Sequence, residues 1–231
     1  MAKAGEGNPL FIEQLAAVLS ERGEQAEGLP TTIRGLVAAR LDALPAEERD
    51  VMLDASIVGR SFWRGALERI ARDPDCLGAA LAALERRDLV RRDAVSRIEG
   101  DEQWSFKHLL IRDVAYDLQP RARRRECHRH IAEFIEASTP EVGEAGAALA
   151  RHWRGAGELE HAVRHFVAAA EEAERGWAKQ YAVTLYREAL EMTPVEDLAR
   201  LGFLRRRLAV AQQAVYHVGD AQLLGLGGES S

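Results

Sequence analysis

Apolar residues recur at helical spacing along nearly the whole chain, and that pattern limits what the chain can fold into. Residues 9–22 carry Leu10, Phe11, Leu15, Val18 and Leu19 close to that spacing. After a polar break from Gly23 to Gly28, Thr31 or Thr32 is placed to cap a helix with Ile33, Leu36, Val37, Leu41 and Leu44 on its apolar face. Pro45 suits the start of the next helix, with Glu47 and Glu48 at its positive end. Val51, Met52, Ala55 and Val58 form its face, and Gly59 stops it. A short helix is expected after Ser61, and Asp75 is placed to cap another bearing Leu77, Ala80, Leu81 and Leu84.

One interval breaks the period. Leu89 and Val90 begin an extended piece, and Gly100 with Asp101 offers a turn. Trp104 and Phe106 then alternate with Ser105 and Lys107, which is strand spacing. Three helices followed by a two-stranded hairpin is the order of a winged helix, expected over roughly residues 30–108. From residue 109 the helical period returns, with Pro120 separating Leu109–Leu118 from a long helix containing Cys127, Ile131, Phe134 and Ile135. Pro140 and Gly143 mark a loop. Helices are then expected over 158–173, 178–192 and 197–217, and a frayed Gly-rich tail after them.

Composition excludes several classes of function. No apolar run approaches the ~18 residues that span a bilayer. No basic start followed by an apolar stretch marks a signal peptide. Two cysteines, Cys76 and Cys127, make neither a disulfide framework nor a zinc pattern, so a reducing cytoplasmic location is expected. The net charge of -6 argues against a general nucleic-acid binder. Only Lys3, Lys107 and Lys179 are lysine, and none follows a glycine. A phosphate-cradling P-loop needs Gly-Lys-Ser/Thr, so the chain carries no complete nucleotide-hydrolysing site of that kind.

Other chemistry-bearing residues read blandly. Cys127 and His128 are adjacent, and adjacent helix positions diverge. His161 and His165 are four apart, but no His-Glu-x-x-His frame surrounds them. No catalytic residue and no metal ligand is assigned. Arg121, Arg123, Arg124, Arg125 and Arg129, with His128 and His130, form a basic cluster, read as a solvated or salt-bridged helix face. Leu77, Ala80, Leu81, Leu84 and the alanines between them are poor material for reading a DNA groove, with Arg86 and Arg87 only at the helix end.

Trp153, Gly157, Leu159, Ala162, Phe166 and Ala169 stand at the relative offsets of a tetratricopeptide repeat, and this stretch resembles one. Ala182, Tyr186, Ala189 and Pro194 repeat the second half of that motif one helix further along rather than one full repeat further. The opening Gly7-Asn8-Pro9-Leu10-Phe11-Ile12-Glu13-Gln14-Leu15 resembles the end of the ATPase module in STAND-type signalling ATPases. There, a Gly-x-Pro element opens a lid helix and its proline packs on adenine. Leu29-Pro30-Thr31-Thr32-Ile33 through Leu44-Pro45, Gly59-Arg60-Ser61-Phe62-Trp63, Leu84-Glu85-Arg86-Arg87-Asp88-Leu89-Val90 and, most specific, Phe106-Lys107-His108-Leu109-Leu110-Ile111-Arg112-Asp113-Val114-Ala115-Tyr116 follow in the family's order. With Arg123-Arg124-Arg125 and His128, they resemble the corresponding region of bacterial class III adenylate/guanylate cyclases with ATPase and repeat domains. Large ATP-binding regulators of the LuxR type come next in likeness.

The resemblance implies a mainly α chain: a lid remnant over 1–28, a winged-helix domain over 29–118, tetratricopeptide-like helices over 119–217 and a tail over 218–231. It implies that Gly7 and Pro9 contact nucleotide, and that His108 senses the β-phosphate of bound ADP. Arg60 and Arg112 are further candidates for reaching phosphate or an acidic neighbour. ATP or ADP with Mg²⁺ would sit in an upstream ATPase core, in cis or in trans, and none in this chain alone. A protein or peptide ligand is expected on the repeat surface. Neither a membrane nor nucleic acid is expected as a partner. Met1 stands just before the lid helix and the array stops without a cap, so the sequence reads as a piece of a longer protein.

Overall fold

Thr32 begins the first described helix as its cap: its Oγ1 accepts the N–H of Gly35 at 3.1 Å. The computed structural model describes residues 32–138, 143–176 and 178–225, with side chains for all of these except 143–145 and 216–225. Among them the chain is mainly α-helical with one small sheet. It divides into two compact units between Cys127 and His128, whereas the sequence reading set a boundary after residue 118.

The first unit holds α1 (Ile33–Asp42), α2 (Ala46–Val58), β1 (Ser61–Trp63), α3 (Arg64–Ile70), α4 (Leu77–Arg86), β2 (Val90–Arg92), β3 (Gln103–Phe106) and α5 (Leu109–Leu118). Helix α2 is its hub and packs on α3, α4, α5 and β1. Every residue from Val51 to Val58 is buried, so α2 is enclosed on all sides rather than along one stripe. That run includes Asp54 and Ser56, whose hydroxyl donates to the Leu53 carbonyl at 2.6 Å.

Helix α4 ends in a reciprocal pair of bonds. The Leu89 N–H donates to Leu84 O and the Asp88 N–H to Glu85 O, with Asp88 in the left-handed region at φ 57°. This turns the chain directly into β2. The sheet order is β1-β3-β2, antiparallel throughout. Phe62 lies opposite Trp104, and Val90 opposite Phe106, so these four share one face. The rings of Phe62 and Phe106 meet edge to face at 5.4 Å.

Two expectations need correction. The segment after Ser61 is strand β1 before it becomes helix α3, because Ser61–Trp63 pairs with the distant β3. The cap of α4 is Cys76 rather than Asp75, whose N–H is taken up by the Asp73 carboxylate.

Helix α6 (Arg121–Ser138) follows Pro120 and crosses the division. The second unit continues with α7 (Gly143–Ala156), α8 (Leu159–Arg175), α9 (Lys179–Met192) and α10 (Leu198–Gly225). Helix α10 thus runs past the expected limit at residue 217. Each of α7 to α10 packs on the next. Ala156, Ala162, Ala170, Ala182 and Ala189 are fully buried, and Phe166 and Tyr186 fill the space beside them. Gly155 lets the His128 imidazole approach α7 closely: a Cβ there would stand 2.4 Å from His128 Cδ2. His128 Nδ1 and His152 Nδ1 share a hydrogen bond at 2.9 Å in this buried spot.

Two glycine substitutions should therefore differ in effect. Gly155→Ala should destabilise by about 1–3 kcal/mol, because the buried His128 ring must move. Gly78→Ala, on α4 with open space around it, should be neutral or stabilise by up to ~1 kcal/mol. Urea unfolding of the two variants decides it, and equal effects would contradict the packing described.

Candidate functional site

The turn from β3 into α5 carries His108, one of the candidate phosphate-facing residues. The strand pairing places it beside the start of β1: the Phe106 N–H donates to Arg60 O at 3.0 Å, and the Lys107 N–H to Leu89 O at 3.0 Å. Arg60 and His108 therefore stand at the same end of the sheet. Arg60 is exposed and has no ion-pair or hydrogen-bond partner for its side chain among the described residues. His108 is half-buried, with extended backbone at φ -132°, and its side chain does not cap α5. Lys107 is held by Asp88. Gly7 and Pro9 lie outside the described residues.

Arg112, the other candidate from the sequence, is occupied. Its Nε donates to Ser56 O at 2.9 Å, tying α5 to the end of α2. It also reaches the neighbouring Asp113 at 3.1 Å and lies over the Tyr116 ring. Arg124 lies over the same ring at 4.7 Å. Arg112 is a packing residue in this unit and not a free anion contact.

The basic cluster of α6 is similarly engaged. Arg123 reaches the Asp54 carboxylate at 3.4 Å and the Ile70 carbonyl that ends α3. Arg129 pairs with Glu158 at 2.7 Å, and His130 lies 3.4 Å from Glu133. His161 stacks near Trp153 with centroids 4.8 Å apart, while His165 Nε2 meets Glu136 at 2.8 Å. The two histidines thus turn to different neighbours. Among the described residues, no three His, Cys, Asp or Glu side chains converge as metal ligands.

Asp54 was not distinguishable in the sequence from the apolar run around it. It is 5% exposed and accepts from Gln119 Nε2 at 2.9 Å as well as from Arg123. Burial pushes its carboxyl up to about 6, against the pull of Arg123 and with a further push from Asp50. Cys127, buried near this carboxylate, is pushed up to about 12, first by burial and then by Asp54. That thiol stays protonated and inert at neutral pH. The exposed Cys76 donates to Asp73 Oδ2 at 3.2 Å, and its pKa is raised by that bond and charge. Neither cysteine is an activated nucleophile.

In the second unit, α8 and α10 enclose a cleft of about 350 Å³ lined by Glu160, His161, Val163, Arg164, Val167, Arg200 and Phe203. Nearby, Glu174 of α8 accepts from Arg207 of α10 and from the Tyr186 hydroxyl of α9. Glu174 Oε1 is buried and has no hydrogen-bond partner among the described residues. Sequence reasoning does not single out Phe203, which lies off the Leu201, Leu204 and Ala211 face of α10.

No family model matches the chain. An uncharacterised protein of Rhizobium meliloti (strain 1021) is 26% identical over 185 residues, a match that covers 72% of this chain. The same match spans 17% of that relative's length.

The Asp54 environment makes a pH prediction. A carboxyl raised from 3.8 to about 6 binds its proton more tightly folded than unfolded. Its contribution to stability is therefore greatest at low pH and falls as pH rises from about 4 to about 6. Asp54→Asn should gain on the unsubstituted chain across that window, by on the order of 2–3 kcal/mol. Urea unfolding at several pH values checks this, and a difference independent of pH would show an ordinary carboxyl.

Proposed function

We propose that this chain is the regulatory and interaction part of a nucleotide-switched signalling ATPase, of the kind found in adenylate/guanylate cyclases with repeat domains or in LuxR-type regulators. The observation that carries the reading is that strand pairing brings the Arg60 backbone to the end of the sheet where the β3–α5 turn with His108 begins. Both positions come from motifs that resemble the family, in the order the family uses.

The element order supports a winged-helix assignment for the first unit. Helix α2, strand β1, helices α3 and α4, then strands β2 and β3 run in that sequence, with β3 central in the sheet. The second unit supports a tetratricopeptide-like assignment through its consecutive helices and its Ala/Phe and Ala/Tyr crossings. The much greater length of the Rhizobium meliloti relative fits a parent with further domains.

The nucleotide itself would be held by an upstream core that supplies the P-loop and Mg²⁺ site, including Gly7 and Pro9 at its lid. The donor set at the sheet end suits an anion. Arg60 offers an uncommitted guanidinium, which matches phosphate oxygens two at a time. His108 stands at the start of α5, at the same end of the sheet. In this scheme these two groups favour the docked, ADP-bound state. Loss of that docking would release the repeat unit to its partner.

A free-standing protein-binding module is the second reading, favoured by the α8–α10 cleft. A DNA-binding role is disfavoured by α4, which presents Gly78, Ala79, Ala82 and Glu85 outward.

His108→Ala and Arg60→Ala, each made in the full-length parent, should weaken ADP about tenfold and raise resting activity. Unchanged ADP affinity and resting activity in both would remove the sensor role. Capture of a partner by the isolated chain to the same extent with or without ATP would favour the second reading.

A further inference from the structure

Helix α10 carries a buried apolar face and, beside it, a second stripe that is only partly covered. Leu201, Leu204 and Ala211 are buried. Ala199, Phe203, Arg206 and Val210 form a second stripe at helical spacing, with Phe203 38% and Val210 55% exposed. Phe203 forms part of the cleft against Val163 and Val167 of α8. Two ion pairs, Glu160–Arg200 and Glu174–Arg207, tie the two helices together. In sequence, Val163, Arg164, Val167 and Phe203 all lie between these ties. Both helices pack on α9, and the cleft lies between them with an ion pair at each end.

Charge selects the occupant. Glu160 and Arg200 neutralise one another, and Arg200 also contacts Asp197. Arg164 at the cleft and Arg206 on the stripe have no ion-pair or hydrogen-bond partner among the described residues. An apolar floor edged by two unpaired guanidinium groups complements an apolar side chain flanked by carboxylates. A small anion would leave Val210 and the outer part of the stripe uncovered.

We propose that the cleft between α8 and α10 and the adjoining Phe203–Val210 stripe bind an acidic amphipathic peptide segment. One of its apolar side chains enters beside Phe203, and its carboxylates face Arg164 and Arg206. The proposal rests on the reading of the second unit as a binding surface.

The test is fluorescence anisotropy with the full 231-residue chain. The probe is a fluorescein-labelled synthetic peptide with leucine at helical spacing and glutamate elsewhere. A counterpart carries lysine in place of glutamate. The glutamate probe should bind, weaken with added salt, and outcompete the lysine probe. Arg164→Glu and Phe203→Ser should each weaken it about tenfold. Arg187→Glu, the same charge change at an exposed position of α9 away from the cleft, should leave it unchanged. Circular dichroism confirms that each variant keeps its helices.

No binding of the glutamate probe, equal binding of the lysine probe, or equal loss in Arg187→Glu would overturn the proposal. So would a concentration-dependent dimer in sedimentation velocity that Phe203→Ser dissolves, since the occupant would then be a second copy. Failure here leaves the His108 measurement in the parent untouched. Failure of that measurement leaves this binding result standing.

Discussion

Asp54 is a carboxylate inside a helix that is buried on every side, and the first unit is arranged around satisfying it. A buried charge without partners is among the most costly things a fold can contain. Here the partners come from just beyond α5: Gln119 closes that helix and Arg123 opens α6 after Pro120. Arg123 also takes the last carbonyl of α3, so one guanidinium joins three helices. The position of the α5–α6 break is therefore a polar requirement as much as a proline effect. That break fixes the direction of α5, and with it the β3–α5 turn where His108 sits.

The second unit uses the opposite strategy. Its helices approach closely because alanine occupies the crossings, and large rings fill what is left. Its polar ties lie at the edges: Glu174 collects Tyr186 and Arg207, and Glu160 holds Arg200. Such edge ties add little stability in water, and the spacing of α8 and α10 is set by the packing of both on α9. The cleft is a consequence of that spacing.

Much of the helical architecture was legible because its signals are local. Thr32, Pro45, Gly59 and Pro120 mark ends within one turn of themselves, and the structure places ends there. Strand β1 was not legible, since Ser61–Trp63 is too short to show a period and takes its conformation from a strand some forty positions away. Asp54 is not legible because it sits, with Ser56, in an otherwise apolar run whose complete burial only the fold reveals. His128 was grouped with exposed arginines, yet it is buried, because Gly155 on another helix makes the room. Of the site, Arg60 and His108 were named from motifs, and their proximity needed the sheet. The cleft with Phe203 and Arg164 depended on a pairing of helices that no single segment encodes.

The central claim, that this chain regulates an ATPase core, is tested most directly by sequencing the DNA upstream of the Met1 codon together with the adjacent gene. The account predicts an encoded Gly-x-x-x-x-Gly-Lys-Ser/Thr segment, in frame or in the neighbouring gene, followed by an acidic Mg²⁺-binding strand. Finding neither in either place would contradict it and leave a protein-binding module acting without nucleotide.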